Sequence, residues 1–479
     1  MKNIEQPTFY FFDYETFGIS PPLDRPCQFA GVRTDQYFSI IGKPLLIYCQ
    51  PPNDYLPQPE ACLITGITPQ TAVSKGLSEP EFIAKIHEQL SVPRTCAIGY
   101  NNIQFDDEVT RYTLYRNFFD PYTWSWQNGN SRWDLLDAMR ACYALRPEGI
   151  IWPNNAQGFI SFKLEHLSVA NDIEHSHAHD AMADVFATIE LAKKLRKAQP
   201  RLFNYLYTHR HKNKLIPLID VVSMKPLVHV SSIFGTDRGN TSWIVPVAWH
   251  PINKNAVIAV DLGQDLSPLF ELDIKSLRKR LYTRHTDLTP NELPIPLNLI
   301  YINKCPVLAE ARNLHPENAG RLGIDRQQCL KNLNKLKEKV NISEKCTALY
   351  IDKPEYKTSR DVDFALYSGF FSPSDRLTMD IIRQTKPEGL SALDIKAADE
   401  RIEPLLFRYR ARNFPSTLTN SEQKQWQIHR MYYFETHLPS YRKKLEELTY
   451  LYRNDRKKNQ ILESVYLYVE SLVSHKFRE

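Results

Sequence analysis

The stretch Phe9-Tyr10-Phe11-Phe12-Asp13-Tyr14-Glu15-Thr16-Phe17-Gly18 sets the tightest limit on the fold. Four consecutive aromatics leave no polar side, so the run predicts a strand buried on both faces. Two carboxylates then meet it at spacing two. On extended backbone Asp13 and Glu15 share one face. At the end of a buried strand they repel each other and lose hydration, and a divalent cation relieves both penalties. Hard cations such as Mg²⁺ take oxygen ligands and keep waters, so one or two carboxylates plus a substrate phosphate suffice. A bare Asp-x-Glu also describes a strand end with solvated acids. The choice depends on whether matching acids appear downstream.

The surrounding pattern mixes strands and helices. Strands are expected at the opening run, from Gln28 to Thr34 and from Ile40 to Gln50, followed by a Pro-rich loop over 51–59. Thr68 reads as a helix N-cap with Pro69 at the first helical position. The next helix carries apolar Phe82, Ile83, Ile86 and Leu90. A short strand from Cys96 to Tyr100 runs into an acid-rich helix start, as the helix dipole prefers. Further helices are expected from Asp134 to Arg146, from Ser161 onward, and after His179 with Val185, Ile189 and Leu195 inward. This order predicts an α/β domain with a central sheet. Tyr122, Trp124 and Trp126 recur at spacing two, which on an extended segment places them on one side. There they are a wall of the core or a surface on which bases stack.

Gln199-Pro200 marks a boundary. From 201 to about 350 the texture turns to short β-like runs (Leu227 to Val230, Thr241 to Val247, Ala256 to Val260, Leu297 to Ile302). That suits a small SH3-like or OB-like barrel with helical insertions. Basic runs line it at His209-Arg210-His211-Lys212-Asn213-Lys214 and from Lys275 to Arg280. Lys353 to Arg360 reads as a linker, and the remainder is helical. The expected domains are therefore 1–200, 201–352 and 353–479.

Charge follows this division. Residues 1–200 carry a balance of −6, residues 201–350 of +8 and residues 351–479 of +3. A basic segment after an acidic one suits a polyanion held by the former and processed by the latter. No 18-residue apolar run suggests a membrane span, and the first residues do not lead into a signal-peptide core. The eight cysteines are scattered without a C-x-x-C pair, so neither a zinc site nor a disulfide framework is expected. The cytoplasm fits this usage.

Matching acids do appear. Asp106 lies just past a strand at a helix start. His179-Asp180-Ala181-Met182-Ala183-Asp184 adds a histidine and a carboxylate five residues apart. They converge if His179 sits on the loop and Asp184 in the first turns of the helix. The run His175-x-His177-x-His179 lacks the cysteine or spaced carboxylate that would complete a tetrahedral zinc set.

Asp13-x-Glu15, Asp106 after Asn102-x-x-Phe105, and His179-x-Ala181-x-x-Asp184 resemble the three motifs of the DEDDh exonuclease superfamily, which has an RNase H-like fold. Asp-Tyr-Glu-Thr-Phe-Gly (13–18), Leu-Ile-Thr-Gly-Ile-Thr-Pro (63–69), Gly-Tyr-Asn-Asn (99–102), Ala-His-Asp-Ala-Met-Ala-Asp (178–184), Ile-Asn-Lys-Cys-Pro-Val-Leu (302–308) and Arg-Ala-Arg-Asn-Phe-Pro (410–415) are similar to the bacterial exonuclease I family over the whole length. The resemblance implies a DEDDh exonuclease domain, an SH3-like β-barrel domain and an all-α C-terminal domain that closes the DNA groove. It makes Asp13, Glu15 and Asp184 metal ligands, Asp106 the fourth acid near a second metal, and His179 the general base. Glu15 also faces the substrate. Lys163 stands where the family tends to carry arginine near the substrate; lysine there keeps the charge and loses the planar fork. Arg111, Tyr122, Trp126 and Arg140 fall in stretches lining the family's DNA path, and Lys212 lies in a basic run suited to phosphates.

The implied activity is processive, Mg²⁺-dependent 3′→5′ degradation of single-stranded DNA to 5′-mononucleotides, in repair and recombination. Two Mg²⁺ would clamp the scissile phosphate, and Mn²⁺ can substitute. The implied partner besides DNA is the acidic C-terminal tail of single-stranded DNA-binding protein, and a monomer is expected. Two other readings compete: the same chemistry on RNA, and a non-catalytic single-strand clamp. Nothing in the motifs reads a 2′-hydroxyl, and an intact acid set argues against a relic.

Overall fold

The computed structural model describes residues 6–175, 180–351 and 361–474. It divides into two compact units: Met1–Ser131, Ser176–Phe186 and Lys357–Glu479 form one, and Arg132–His175 with Ala187–Tyr356 form the other. This division follows packing and differs from the three sequence segments, because the C-terminal helices share cores with the N-terminal sheet.

The first unit opens with β1 (Thr8–Thr16), β2 (Pro26–Thr34) and β3 (Leu45–Tyr48). Helices α1 (Pro59–Thr65), α2 (Pro69–Lys75) and α3 (Glu79–Leu90) follow, then β4 (Thr95–Gly99) and α4 (Asp106–Arg116). Within β5 (Ser131–Asp134) the chain leaves this unit, and the sheet order is β3-β2-β1-β4-β5. β1 pairs antiparallel with β2 and parallel with β4. Its central place explains the aromatic run. Tyr10, Phe12 and Tyr14 enter a core with Phe29, Phe82, Ile83 and Ile86. Phe9 and Phe11, on the other face, meet the Phe38 ring at 5.4 and 6.0 Å between centroids. Asp13 and Glu15 continue that second face toward the end of the strand.

Several expectations shift. The strand expected from Gln28 starts at Pro26, a first position where no ladder donor is required. The strand expected from Ile40 to Gln50 contracts to Leu45–Tyr48. Ile40 makes one bridge to Thr34, and Gly42, at φ 75°, turns the chain ahead of Pro44. Tyr122, Trp124 and Trp126 do not lie on one side of an extended segment. They lie in and beside the short 3₁₀ turns Thr123–Ser125 and Gln127–Gly129. The Asp120 carboxylate accepts from the Tyr122 and Thr123 amides at 2.9 and 3.0 Å and folds the chain there. Trp124 is buried while Trp126 is 62% exposed.

The C-terminal part of this unit comprises helices Pro373–Gln384, Ile402–Asn413, Asn420–Leu451 and Arg456–Ser474. Phe434, Tyr441, Leu445, Leu462, Val465 and Val469 pack with Phe17, Cys27, Tyr55, Leu56 and Cys62. Leu366, Met379, Leu405 and Tyr409 pack with Tyr112, Tyr115 and Phe118. A buried ion network runs through the same contact. Arg412 donates to Asp54 at 2.7 Å and to Asp363 at 3.0 Å, and Asp363 also accepts from Arg25 and Arg408. The linker expected at 353–360 lies outside the described residues.

In the second unit α5 (Leu135–Leu145) and α6 (Leu164–Ala170) follow β5. α7 (Ala181–Ala198) begins in the first unit and ends in the second. Then come β6 (Leu227–Val230), β7 (Thr241–Trp249), β8 (Ala256–Asp261), β9 (Leu297–Tyr301) and β10 (Val307–Glu310). They form an antiparallel sheet of order β10-β6-β7-β8-β9 around Leu227, Ile244, Val257, Ala259, Ile300 and Leu308. Helices Ser267–Glu271 and Ile274–Leu281 are inserted between β8 and β9, as the β-like texture with insertions predicts. All eight cysteines are free thiols.

Candidate active site

Three elements of the first unit bring the acids together. β1 delivers Asp13 and Glu15 on one face at the end of the aromatic run. The partners across on β2 are Ala30 and Gln28. Opposed residues of an antiparallel pair share a face, so small Ala30 leaves room above Asp13. α7 delivers Asp184 from its first turn, where the Asp184 amide donates to the Asp180 carbonyl at 3.0 Å. One carboxylate oxygen each of Asp13, Glu15 and Asp184 lies within 4.8 Å of the others. One cation bonded at roughly 2.0–2.6 Å spans such a set.

α4 delivers Asp106 from its first position, and the Tyr14 amide donates to its Oδ1 at 3.1 Å. That single bond ties the fourth acid to the strand between the first two. The turn ahead of α4 is fixed by Asn102. Its Oδ1 accepts from the Gly99 amide at 3.1 Å, and its Nδ2 donates to Asp107 at 3.2 Å. A Cβ on Gly99 would stand 2.7 Å from the Asn102 Cβ, so the close turn requires glycine.

The acids are held against their charge. Burial, then Asp106, Glu15, Asp184 and Asp180, raises Asp13 well above the usual carboxylate range. Burial, then Asp184, Asp106 and Asp180, pushes Glu15 up to about 9. Burial raises Asp106 to about 7 against the opposing Tyr14 amide. Four acids that resist ionising together are what a divalent cation corrects. Among the described residues the donor set is all oxygen, which suits a hard cation.

These shifts have a measurable consequence. Between about pH 4.5 and 9 the folded site retains protons that the unfolded chain has lost, so its contribution to stability falls as pH rises. A cation replaces those protons. The thermal stabilisation by added Mg²⁺ is therefore expected to grow from about pH 6 to about pH 9, a trend that melting curves with and without EDTA measure. A shift independent of pH would contradict the shared-proton description.

The other expected residues are placed as follows. Arg111 on α4 is 9% exposed and bonds Glu108 at 2.5 Å and the Tyr367 hydroxyl at 3.5 Å, with its guanidinium over Tyr122. Tyr122 meets Phe370 edge to face at 5.4 Å, while Trp126 stands out into solvent. Lys163, Arg140 and Lys212 belong to the second unit. There Lys163 precedes α6 and bonds Glu165 at 3.4 Å, Arg140 pairs with Asp137 at 2.8 Å, and Lys212 donates to Asn255 at 3.3 Å. His179 lies outside the described residues. Reading the sequence missed Asp180, whose charge acts on Asp13 and Glu15.

Family models for an exonuclease, an exonuclease I SH3-like domain and an exonuclease I C-terminal domain match residues 10–192, 210–352 and 360–472. Exodeoxyribonuclease I of Escherichia coli is 58% identical over 470 residues, covering 98% of this chain and 99% of its own. The chain belongs to the exodeoxyribonuclease I family. The crystal structure of E. coli exonuclease I in complex with a dA16 oligonucleotide superposes with a TM-score of 0.96 at 58% identity, over 98% of this chain and all of the other. A crystal structure of SSB/exonuclease I with an inhibitor matches with a TM-score of 0.92 at 56% identity over the same shares. Membership of the exodeoxyribonuclease I family accounts for the acid set on an exonuclease domain and for the order of the three segments. No described helix is long and apolar enough to cross a membrane.

Proposed function

We propose that this protein is a divalent-metal-dependent exonuclease that degrades single-stranded DNA from the 3′ end. It works processively, releases 5′-mononucleotides, and serves repair and recombination in the cytoplasm as a monomer. The observation that carries the reading is the convergence of Asp13, Glu15 and Asp184 within 4.8 Å, with Asp106 bonded to the same strand. Family membership supplies substrate and polarity. The segments 1–200, 201–352 and 353–479 act as exonuclease, SH3-like basic and helical domains. The helical domain, in this reading, closes the DNA groove.

Asp13, Glu15, Asp106 and Asp184 would hold two Mg²⁺, or Mn²⁺ in their place. Bound there, such ions supply Lewis-acid stabilisation of charge on the scissile phosphate. His179, one residue before Asp180, takes the proton from the attacking water; a free pKa near 6.5 suits it to that duty. Arg111, Tyr122, Trp126, Arg140, Lys163 and Lys212 contact the strand through phosphate charge and base stacking. The acidic C-terminal tail of single-stranded DNA-binding protein is the proposed protein partner, supported by the SSB/exonuclease I structure among the matches.

Matched DNA and RNA oligonucleotides, labelled at either end, test the reading with Mg²⁺ and with EDTA. The expected result is mononucleotide release from the 3′ end of DNA alone, abolished by EDTA. Equal digestion of RNA, or activity in EDTA, would overturn it. In the same assay His179→Ala is expected to lose on the order of 10²–10⁴-fold in turnover. A loss below about fivefold would remove the base role.

A further inference from the structure

The acid site needs three elements in register, yet Asp184 comes from a helix whose start has no covalent tie to β1. Gln28 provides one. It sits on β2 opposite Glu15, is 1% exposed, and its Oε1 accepts from the Ala181 amide at 3.2 Å. Ala181 is the first residue of α7, fully buried, and Asp184 follows it by three residues. The next two amides, Met182 and Ala183, donate to Asp180 Oδ1 at 3.2 and 3.1 Å. The first three helical amides are thus satisfied by two side chains. One belongs to the helix's own cap, and the other reaches across from the sheet. Only the second fixes where the helix starts relative to Glu15.

We propose that Gln28 is a positioning residue of the acid site: its side-chain carbonyl anchors the first turn of α7 to the strand beside Glu15 and so sets the spacing of Asp184 from Asp13 and Glu15. This rests on the reading that those three acids hold a divalent cation. The contact that carries this role is with the helix, so Gln28 acts through the position of Asp184. No charged residue does this job as well. A carboxylate at position 28 would add an acid beside Glu15, and a lysine would supply no acceptor. A neutral amide supplies the acceptor with no charge in a site already crowded with acids. Partners one step removed from metal ligands generally matter by roughly 10–100-fold in metal affinity.

The test is calorimetric titration of Mn²⁺ into the full-length protein without DNA, using wild type, Gln28→Met and Asp184→Asn. Methionine keeps the length and burial of the side chain and puts a weakly accepting thioether where the carbonyl oxygen stands. Gln28→Met is expected to weaken Mn²⁺ binding about tenfold and to lower kcat, with KM for single-stranded DNA unchanged and turnover partly restored by excess metal. Mn²⁺ affinity and kcat at wild-type values in Gln28→Met, beside lost binding in Asp184→Asn, would overturn the inference and leave the metal reading intact. Unchanged Mn²⁺ binding in Asp184→Asn would instead remove the metal reading. Hydrogen exchange on metal-free wild type gives a second readout that depends on no variant folding. The Ala181 amide is expected to exchange slowly in EDTA, because the anchor precedes the ion, and rapid exchange there would overturn the inference.

Discussion

Asp184→Asn is expected to lower turnover on single-stranded DNA on the order of 10⁴-fold, while DNA affinity in EDTA stays at the wild-type level. Asparagine matches the carboxylate in shape and keeps a neutral oxygen. What it removes is the charge that makes one oxygen each of Asp13, Glu15 and Asp184 a cation site within 4.8 Å. Removing it also relieves repulsion, since Asp184 raises the pKa of both Asp13 and Glu15. The metal-free variant is therefore expected to melt no lower than wild type and to gain little from Mg²⁺. Loss of turnover without loss of stability separates a functional acid from a structural one. Gel-based turnover, filter binding and thermal melts measure the three quantities, and a variant that keeps more than about a tenth of wild-type turnover would contradict the assignment.

Arg412→Ala is expected to destabilise the first unit by about 3–5 kcal/mol, because it leaves two buried carboxylates short of their cation. Arg412 is 7% exposed at its side chain and bridges Asp54 and Asp363, at 3% and 4%. Burial is the largest single effect and works to raise both acids, but Arg412 with His429 and Arg25 around Asp54, and with Arg408 and Arg25 around Asp363, together hold each below the usual carboxylate range. The sign of the pH dependence follows. Groups with depressed folded pKa contribute stability above the unfolded value near 3.8 and lose it as pH falls through the folded value. Wild type should therefore lose this contribution only in strong acid. A urea titration of the first unit's transition near neutral pH is expected to show a clearly lower midpoint for Arg412→Ala. Replacing the arginine and both acids together with apolar residues should restore much of the loss, since breaking a buried pair costs more than omitting it. An unchanged midpoint in the single variant would show that the remaining arginines, Arg25 and Arg408, suffice for Asp363.

How much of this was legible in the chain follows from the range of each interaction. The β1 strand, the Thr68 cap with Pro69, and α3 with Phe82, Ile83, Ile86 and Leu90 are local patterns, and the structure repeats them. The acids were legible because chemistry limits what can lie at a strand end and two helix starts. The wrong reading of Tyr122, Trp124 and Trp126 came from giving periodicity precedence over Asp120-Pro121, a turn signal that the Asp120 hydrogen bonds confirm. Gln28 carried no signal, because its role depends on register across β1 and β2 and on an amide 153 residues away. The Asp54–Arg412–Asp363 network was invisible for the same reason. Each residue alone is an ordinary surface type, and only folding over a separation of 358 residues buries the first pair.

The cluster that joins Phe17, Cys27 and Tyr55 to Phe434, Tyr441 and Val469 has a consequence for how the protein is made. A ribosome extends the chain from its N-terminus, and domains that close early in sequence fold while the rest is still being synthesised. Here one half of the cluster, Phe17 to Cys62, is synthesised long before the other, Phe434 to Val469. Until Phe434 and the helical residues after it have been made, Phe17, Tyr55 and Leu56 lack the side chains they pack against, so an N-terminal fragment that stops before them is expected to leave that apolar surface uncovered.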